Sequence, residues 1–352
     1  MIEPRSLERI ALERLPELQV ASGLFRATPR IEGVEDETSP ATALQAGIVV
    51  LLGLLRVEES EAGQPFSTGA LRTRILGDLG GSEVNPGELG LALWAESRAG
   101  GVAIGEIDGL IRRATVGGLE RLPTEQLAWL ASGLAETAVL TGDPATSLIG
   151  EVKAELSSRL TPGGLSRDVH ARRLGTAVPV NGQFHLLHAL VQLVRAGEEG
   201  LRTEADRLAG ALLALQREDG SWPGLIDPVR SEAAVVYPIL AVTQVAVAPM
   251  ALRAATESGL GDFSAAVTSS LEWVAGSNAL GLTLVHEADA RIDRGVLPKR
   301  KPGALERGIS SAARRITGQA HEPDAKQLII DPAASSEDLG WVLEAWAGSL
   351  HR

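Results

Sequence analysis

The sequence predicts an all-α protein in which antiparallel helix hairpins close into a ring, an (α/α)6 barrel or toroid. Apolar residues recur at the helical period almost throughout the 352 residues, and strand-like alternation is scarce. Glycine turns near Gly163, Gly220 and Gly276 each end a helical segment, at spacings of 57 and then 56 residues. One hairpin with its two loops occupies about that length, so roughly six units fit the chain.

The helices follow from apolar periodicity and from the positions of Pro, Gly, Ser and Asp between the periodic segments. The first helix has charged residues at helical spacing, and the second contains the apolar run Ala46–Leu55. Short connections predict antiparallel neighbours within one domain spanning 1–352. The predicted helices are 5–17, 40–57, 67–79, 86–99, 104–117, 123–141, 145–160, 182–197, 201–217, 237–257, 262–276, 303–317 and 336–350.

Long stretches without clear periodicity separate several of these helices. Structureless loops beyond about 12–15 residues are unusual in a compact domain unless they are functional or disordered. In a toroid, loops on one rim surround the ring axis, so we expect the functional residues there. The predicted irregular stretches are 24–39, 161–181, 218–236, 277–302 and 318–335.

Composition excludes several classes of function. The net charge of −12 and the pI of about 5.1 disfavour non-specific binding to nucleic acid or to anionic lipid. The absence of cysteine excludes disulfides, thiolate nucleophiles and Cys-ligated zinc, and it is typical of a reducing compartment. The N-terminus lacks a signal-peptide core, and the longest apolar run is shorter than the roughly 20 residues of a membrane span. We therefore predict a cytoplasmic protein with no cofactor; the oligomeric state is not predicted.

The segment QREDGSW, Gln216 to Trp222, resembles the Q-x-x-x-G-x-W motif of squalene and hopene cyclases and other α/α toroids. In that resemblance the glutamine caps a helix end and the tryptophan stacks on it, so the motif is structural. Two features oppose a triterpene cyclase. Aromatic residues make up 3% of the chain, whereas a carbocation needs a cavity lined with π faces, and no Asp-x-Asp-Asp proton donor is present.

The stretch from Asn181 to Trp346 resembles an uncharacterised set of bacterial proteins in the six-hairpin glycosidase-like class. The segments that carry the resemblance are NGQFHLLHALVQLVRA, LLALQREDGSWPGLIDP, VVYPILAVTQVAVAPMAL, LEWVAGSNALGLTLV and LGWVLEAWAG. The chain departs from that pattern at Thr243 and Val245, where the resemblance implies His and Asp around Gln244. It also has SSED before Leu339, where an Arg-Pro-Tyr segment is expected. The departures imply a different substrate or lost catalysis.

Paired carboxylates are the predicted catalytic groups, because glycoside hydrolysis needs an acid and a second carboxylate on opposite sides of the bond. Asp219, Asp227 and Glu232 lie on one predicted loop, and Glu287 lies on another with Asp289 and Asp293. The alternative is that Asp219 serves a turn and the others are solvated loop acids.

Histidines provide a further candidate. His185 and His188 share a helix face, which suits proton transfer by His185 in a cavity. With no third ligand evident, we predict no metal site.

The predicted ligand-binding residues lie on the same loops. A phosphate, a uronate or an acyl-carrier partner would suit the arginines, because arginine binds carboxylate and phosphate bidentately. A solvated charged face is the alternative for the basic segment 291–315. The candidates are Trp222 for stacking, Tyr237 and Gln244 for positioning, Asn278 as a donor, His286 beside Glu287, and Arg291 and Arg294 for an anion.

Three hypotheses of function follow. The first is a carbohydrate- or polar small-molecule-processing enzyme of the glycoside hydrolase or lyase type, whose small-molecule or glycan ligand is anionic if the arginines bind it. The second is a terpenoid-cyclase-like cyclase or isomerase of specialised metabolism. The third is a non-catalytic binding or scaffold protein on the same fold. An open, acid-lined groove favours the first, and a closed apolar cavity with one acid favours the second.

Overall fold

The computed structural model describes residues 2–26, 39–59, 66–80, 84–142, 147–169, 177–300, 322–332 and 334–347. Within these ranges twelve α-helices alternate between an outer and an inner layer, which confirms the predicted all-α toroid. The helices are α1 (Pro4–Leu18), α2 (Pro40–Glu59), α3 (Thr68–Leu79), α4 (Pro86–Arg98), α5 (Ile104–Ala114), α6 (Thr124–Thr141), α7 (Ser147–Arg159), α8 (Val180–Arg195), α9 (Arg202–Ala214), α10 (Ala248–Glu257), α11 (Ser264–Ala275) and α12 (Ser336–Trp346).

The even-numbered helices form the inner ring. Every residue of α4 from Gly87 to Ser97 is buried, because this helix has neighbours on all sides. Helix α2 is long and apolar enough, over Pro40–Val57, to pass a membrane-span test by length and composition, yet 72% of that window is buried inside the protein. Its hydrophobicity is accounted for by its place in the ring.

Glycines allow the inner helices to approach closely at two places. A Cβ at Gly90 of α4 would lie 2.3 Å from Leu130 Cα of α6, and one at Gly133 would lie 2.1 Å from the Gly90 oxygen. Between α2 and α12, a Cβ at Gly53 would meet the Gly340 oxygen at 2.6 Å. Backbone therefore contacts backbone at both junctions, where any side chain would separate the helices.

The two ends of the ring differ in their loops. The rim at which the inner helices begin, here called the N-terminal rim, carries the long connections from outer to inner helices. The opposite, C-terminal rim carries shorter connections in the described parts of the chain, such as 99–103 and 258–263.

The long connections contain short antiparallel strands, which corrects the expectation of irregular loops. Their two to four residues are too few to show alternation in the sequence. The sheets are β1-β2-β3, β4-β7-β8 and β5-β6, built from β1 (Val178–Pro179), β2 (Leu225–Asp227), β3 (Glu232–Val235), β4 (Ile239–Leu240), β5 (Val285–His286), β6 (Arg291–Ile292), β7 (Gly295–Pro298) and β8 (Leu328–Asp331).

The predicted helix 237–257 is shorter than expected. Residues 237–240 are extended and include β4, and a π-helical turn over Thr243–Val247 precedes α10. The apolar run VVYPILAV cannot by itself distinguish a buried strand from a buried helix, which explains the difference. The predicted helix 303–317 lies outside the described residues.

The QREDGSW segment closes the α9 end as its resemblance implied. Gln216 Nε2 donates to the oxygens of Gly220 and Ala266 at 2.8 and 2.9 Å, and Trp222 Nε1 donates to the Leu212 oxygen at 2.9 Å. Gly220 has φ +89°, and a Cβ there would lie 2.2 Å from the Ser269 oxygen of α11. The turn therefore needs glycine for both its conformation and its packing.

Replacing Gly90 with alanine tests the close approach of α4 and α6. Gly90→Ala is expected to lower the free energy of unfolding by about 3 kcal/mol, because the new methyl group overlaps the α6 backbone. Gly210→Ala is the control: Gly210 lies in α9, and a methyl group added there would have no atom within 4 Å, so its replacement should raise stability by about 0.5–1 kcal/mol through helix propensity. Urea unfolding of both variants measures the difference, and equal effects would contradict the packing argument.

Candidate functional site

A polar cluster lies at the N-terminal rim, where first turns of the inner helices converge. It comprises Gln45 of α2, Glu125 of α6, Asn181 and His185 of α8, Thr243 of the π-helical turn, and Glu337 with Trp341 of α12. We call it the axial cluster. Its members come from five separate segments, so only the closed ring brings them together.

Glu125 is the first of two acids in the axial cluster. Its Oε1 accepts a hydrogen bond from Asn181 Nδ2 at 2.9 Å, and Thr243 Oγ1 donates to Asn181 Oδ1 at 3.3 Å. The side chain is 36% exposed, although protein groups surround much of it. Burial raises the pKa of Glu125 to about 6. The hydrogen bond from Asn181 lowers this pKa, and the nearby charge of Asp168 raises it.

Glu337 is the second acid, and it keeps its proton to a higher pH. Burial raises its pKa to about 7, although hydrogen bonds from Gln45 and Trp341 favour the carboxylate. The charges of Asp338 and Glu125 add to the increase in pKa. Gln45 Nε2 donates to Glu337 Oε1 at 3.1 Å. Glu125 thus ionises first, and its negative charge helps to hold the proton on Glu337.

His185 lies against Glu125 but carries no charge. Its Nε2 is 3.5 Å from Glu125 Oε1, a distance compatible with an ion pair, but burial lowers the pKa of His185 to about 3. The contact therefore joins a neutral imidazole to a carboxyl group. Within the described part of the chain, His185 Nε2 is a buried polar atom with no hydrogen-bond partner, beside an acid.

Aromatic rings fill the ring axis below the axial cluster. The His185 ring lies 4.7 Å from Trp341, Trp341 lies 6.4 Å from Trp94, and Trp94 stacks on His188 at 5.1 Å, with Trp129 beside Trp341 at 6.3 Å. We call these five side chains the aromatic column. Burial, helped by His185 and surrounding arginines, holds the pKa of His188 well below its usual value, so both imidazoles of the column are neutral.

The π-helical turn explains the position of Thr243. Its extra residue per turn shifts the register of the inner helix ahead of α10, and such turns occur frequently at functional sites. Thr243 thereby reaches Asn181, while Gln244 faces the opposite side. Gln244 is fully buried, and its Oε1 accepts the Trp222 N–H at 3.3 Å.

The predicted acids of the 219–232 loop serve its turns and strands. Asp219 Oδ1 accepts from Ser221 N and Oγ at 3.1 and 2.7 Å, and Asp227 Oδ1 accepts the N–H of Val229 at 3.0 Å. Asp227 pairs with Glu232 across β2 and β3, and Glu232 forms an ion pair with Arg230 at 3.5 Å. These contacts fit the structural alternative stated for the loop.

The second predicted loop forms a charged hairpin of β5 and β6. His286 Nε2 lies 2.8 Å from Asp293 Oδ2, and Arg291 Nε donates to Asp293 Oδ1 at 3.0 Å. Glu287 points away to Arg9 of α1, at 3.4 Å. His286, Asp293 and Arg291 therefore meet each other, and Glu287 does not join them.

Of the other predicted binding residues, Arg294 acts on Asp338, which is next to Glu337. Burial raises the pKa of Asp338, and the charge of Arg294 opposes that rise. Arg294 Nη1 is 3.9 Å from Asp331 Oδ2. Trp222 is fully buried against Phe184, so its ring faces are covered. Tyr237 is buried, which raises its pKa, and Asn278 bonds the Trp273 and Leu282 oxygens within its turn.

Of the residues in the axial cluster, the sequence singles out His185 but not Glu125 or Glu337. Both acids follow a helix N-terminus, where carboxylates are common because they interact favourably with the helix dipole. The signal in the sequence was the position of each acid in the first turn of an inner helix. Among the described residues, no group of three or more His, Asp or Glu side chains is arranged to hold a metal ion.

Comparison with solved structures identifies the fold as that of the six-hairpin glycosidase-like α/α toroids. A possible member of the GH105 family from Salmonella enterica aligns with a TM-score of 0.63 at 10% identity, covering 99% of this chain and 94% of its own. An unsaturated glucuronyl hydrolase specific for heparin gives 0.61 at 12%, covering 97% and 95%. A polysaccharide lyase gives 0.60 at 11%, covering 98% and 96%.

No protein-family model matches the sequence, and no curated protein matches it. At identities of 10–12%, the comparison shows that this chain shares the fold of these proteins, but it does not show that it shares their activities.

Glu337→Gln tests whether burial of this acid costs stability. The pKa of Glu337 in the folded state, about 7, lies above the unfolded value of about 4.3. The folded protein therefore holds this proton more tightly than the unfolded chain. The stability that this gives is fully present below the unfolded pKa and is lost as the pH rises through 7. Relative to the native protein, the variant should therefore gain about 1–3 kcal/mol between pH 4.5 and pH 8.

Urea unfolding across that pH range measures the gain. Glu151→Gln, at an exposed position of α7, provides the control and should differ from the native protein by a constant amount. A pH-independent difference for Glu337→Gln would contradict the assigned environment.

Proposed function

We propose that this protein is a carbohydrate-processing enzyme that cleaves a glycosidic bond by acid–base catalysis at the axial cluster. Glu337 is the proposed general acid and Glu125 the proposed general base. The observation that carries the proposal is that two acids from distant helices lie at one rim, each held by an amide side chain, where burial raises both pKa values toward neutrality.

The proposed reaction uses each acid in its predominant form between pH 6 and pH 7. Protonated Glu337 donates its proton to the glycosidic oxygen as the bond from that oxygen to the anomeric carbon breaks. Ionised Glu125 accepts a proton from the water that attacks the anomeric carbon. The products are two hydroxyl-terminated sugars, and solvent exchange restores the two protonation states.

Neighbouring groups support these roles. Asn181 fixes Glu125 by a hydrogen bond, and Thr243 fixes the Asn181 amide, so the base has a defined orientation. Gln45 holds Glu337 in the same way. Neutral His185 lies against Glu125, with its Nε2 3.5 Å from Glu125 Oε1, and Arg294 suits a negatively charged substituent of the substrate.

The structural neighbours favour a sugar substrate. Their descriptions name an unsaturated glucuronyl hydrolase, a polysaccharide lyase and a glycosidase on the same toroid. For this chain the substrate class rests on that likeness of fold together with the polar axial cluster.

The other hypotheses make different demands on the ring axis. A terpenoid-cyclase-like enzyme needs an apolar cavity for a flexible chain, whereas the aromatic column packs its rings on one another in the described part of the chain. The alternative catalytic acid and base are the carboxylates of the two loops, Asp219, Asp227, Glu232 and Glu287. A scaffold protein would show no turnover at all.

Substitution of the two acids tests the proposal. Glu125→Gln and Glu337→Gln are each expected to lower kcat by about 10²–10⁴-fold, because each removes a proton-transfer group. Native kcat should follow a bell-shaped pH profile with apparent pKa values near 6 and 7 that belong to the pair. Release of reducing sugar from a panel of oligosaccharides, with and without uronic acids, measures turnover.

Matched variants separate catalysis from folding. Asp227→Asn and Glu287→Gln alter the loop carboxylates, and retention of native kcat in both is expected. Full kcat in Glu125→Gln or Glu337→Gln would refute the proposed acid and base, and loss in a loop variant alone would favour the loop acids. Ultraviolet absorbance of a new carbon–carbon double bond in the product would indicate a lyase.

A further inference from the structure

A second charged cavity opens at the C-terminal rim, at the far end of the aromatic column from the axial cluster. Its volume is about 170 Å³, and residues of all six inner helices line it. We call it the rim cavity. Four of its lining residues are arginines: Arg56 of α2, Arg98 of α4, Arg195 of α8 and Arg253 of α10. This is a concentration of positive charge in a protein whose net charge is −12.

Two of these arginines build the wall of the rim cavity. Arg98 forms a bidentate ion pair with Glu344, one bond of which measures 2.7 Å, and it stacks over Trp94 with its guanidinium 5.0 Å from the ring. Arg253 donates to the Ala345 oxygen at 2.6 Å and lies over Trp346. Their positions are fixed by contacts that a ligand would not replace.

Arg195 differs from the wall arginines because it stands exposed at the mouth. Its only direct bond among the described residues is a long one, 3.3 Å from Nη1 to Gln192 Oε1. Most of its guanidinium N–H groups therefore have no acceptor among the described residues. A second depression of about 390 Å³ also includes Arg195 in its lining, so a ligand held by Arg195 has room to extend outward.

Glu136 of α6, the helix next to α8 in the ring, supplies an acceptor in the lining of the rim cavity. Its carboxyl group makes no hydrogen bond within the described residues, although the charges of Arg98, Arg195 and Arg56 act on it. Burial raises its pKa, so the arginines do not fully offset the loss of water. A ligand with a hydrogen-bond donor could therefore bond to the Glu136 carboxyl group.

We propose that the rim cavity binds a small oxyanion that also carries a hydroxyl group, such as phosphate or a hydroxy acid. Arg195 donates hydrogen bonds to the anionic oxygens, and Glu136 accepts one from the hydroxyl. The four arginines exceed the three lining glutamates, Glu136, Glu257 and Glu344, by one positive charge. That excess opposes the negative ends of the helix dipoles at this rim, which disfavour anions.

Calorimetric titration of the full chain with inorganic phosphate, glycerate and propionate tests the proposal. Arg195→Gln should weaken the binding of phosphate and glycerate about tenfold through the loss of a charge-assisted hydrogen bond. Arg112→Gln, which removes an equal charge from the exposed face of α5, should leave binding unchanged. Equal affinity in both variants would overturn the role of Arg195.

The role of the ligand hydroxyl is tested by the ratio of the affinities for glycerate and propionate, in which effects of charge cancel. Glycerate and propionate carry the same charge, so the native preference for glycerate should disappear in Glu136→Ala. Retention of that preference would overturn the role of Glu136, and no binding of phosphate or glycerate at millimolar concentrations would overturn the proposal as a whole. Glu337→Gln should bind both anions normally, which separates this site from the proposed catalytic one.

Discussion

The close approach of the inner helices at Gly90 with Gly133, and at Gly53 with Gly340, is the constraint on which the architecture depends. At each junction a backbone oxygen occupies the space that a Cβ would need. Helices in such contact have little freedom to slide or rotate, because a shift of about one methyl group already creates overlap. The inner helices therefore begin at a common rim, and side chains from distant parts of the sequence meet there.

Electrostatics at the two rims follows from this alignment. Acids in the first turns and arginines in the last turns both complement the helix dipole, which contributes about 0.3–1 kcal/mol per charge. Each pKa unit corresponds to about 1.4 kcal/mol, so the rise for Glu337 from 4.5 to about 7 exceeds the dipole term. Burial where the inner helices converge outweighs the stabilisation by the helix dipole, so Glu337 keeps its proton to a higher pH than an exposed acid at a helix start.

The structural neighbours show that this ring is compatible with very different sequences. At 10–12% identity the overall fold is shared, and an identity this low does not carry residue roles from one chain to another. Thr243 illustrates the point: the π-helical turn directs it to Asn181, at a position where the sequence resemblance implied a histidine. The role of such a position depends on the backbone register as well as on residue type.

The sequence by itself determined most of the described helices and the turn at QREDGSW, because periodicity, glycine turns and helix ends are local properties. It did not determine the start of the helix predicted at 237–257. It also indicated His185. It did not reveal β1–β8, whose short segments carry no pattern, or the meeting of Glu125 with Glu337, which are 212 positions apart in the chain. Only ring closure decided that meeting. In the sequence both acids look like ordinary dipole-stabilising residues, whereas the loop acids Asp219 and Asp227 looked functional but bond to their own turns.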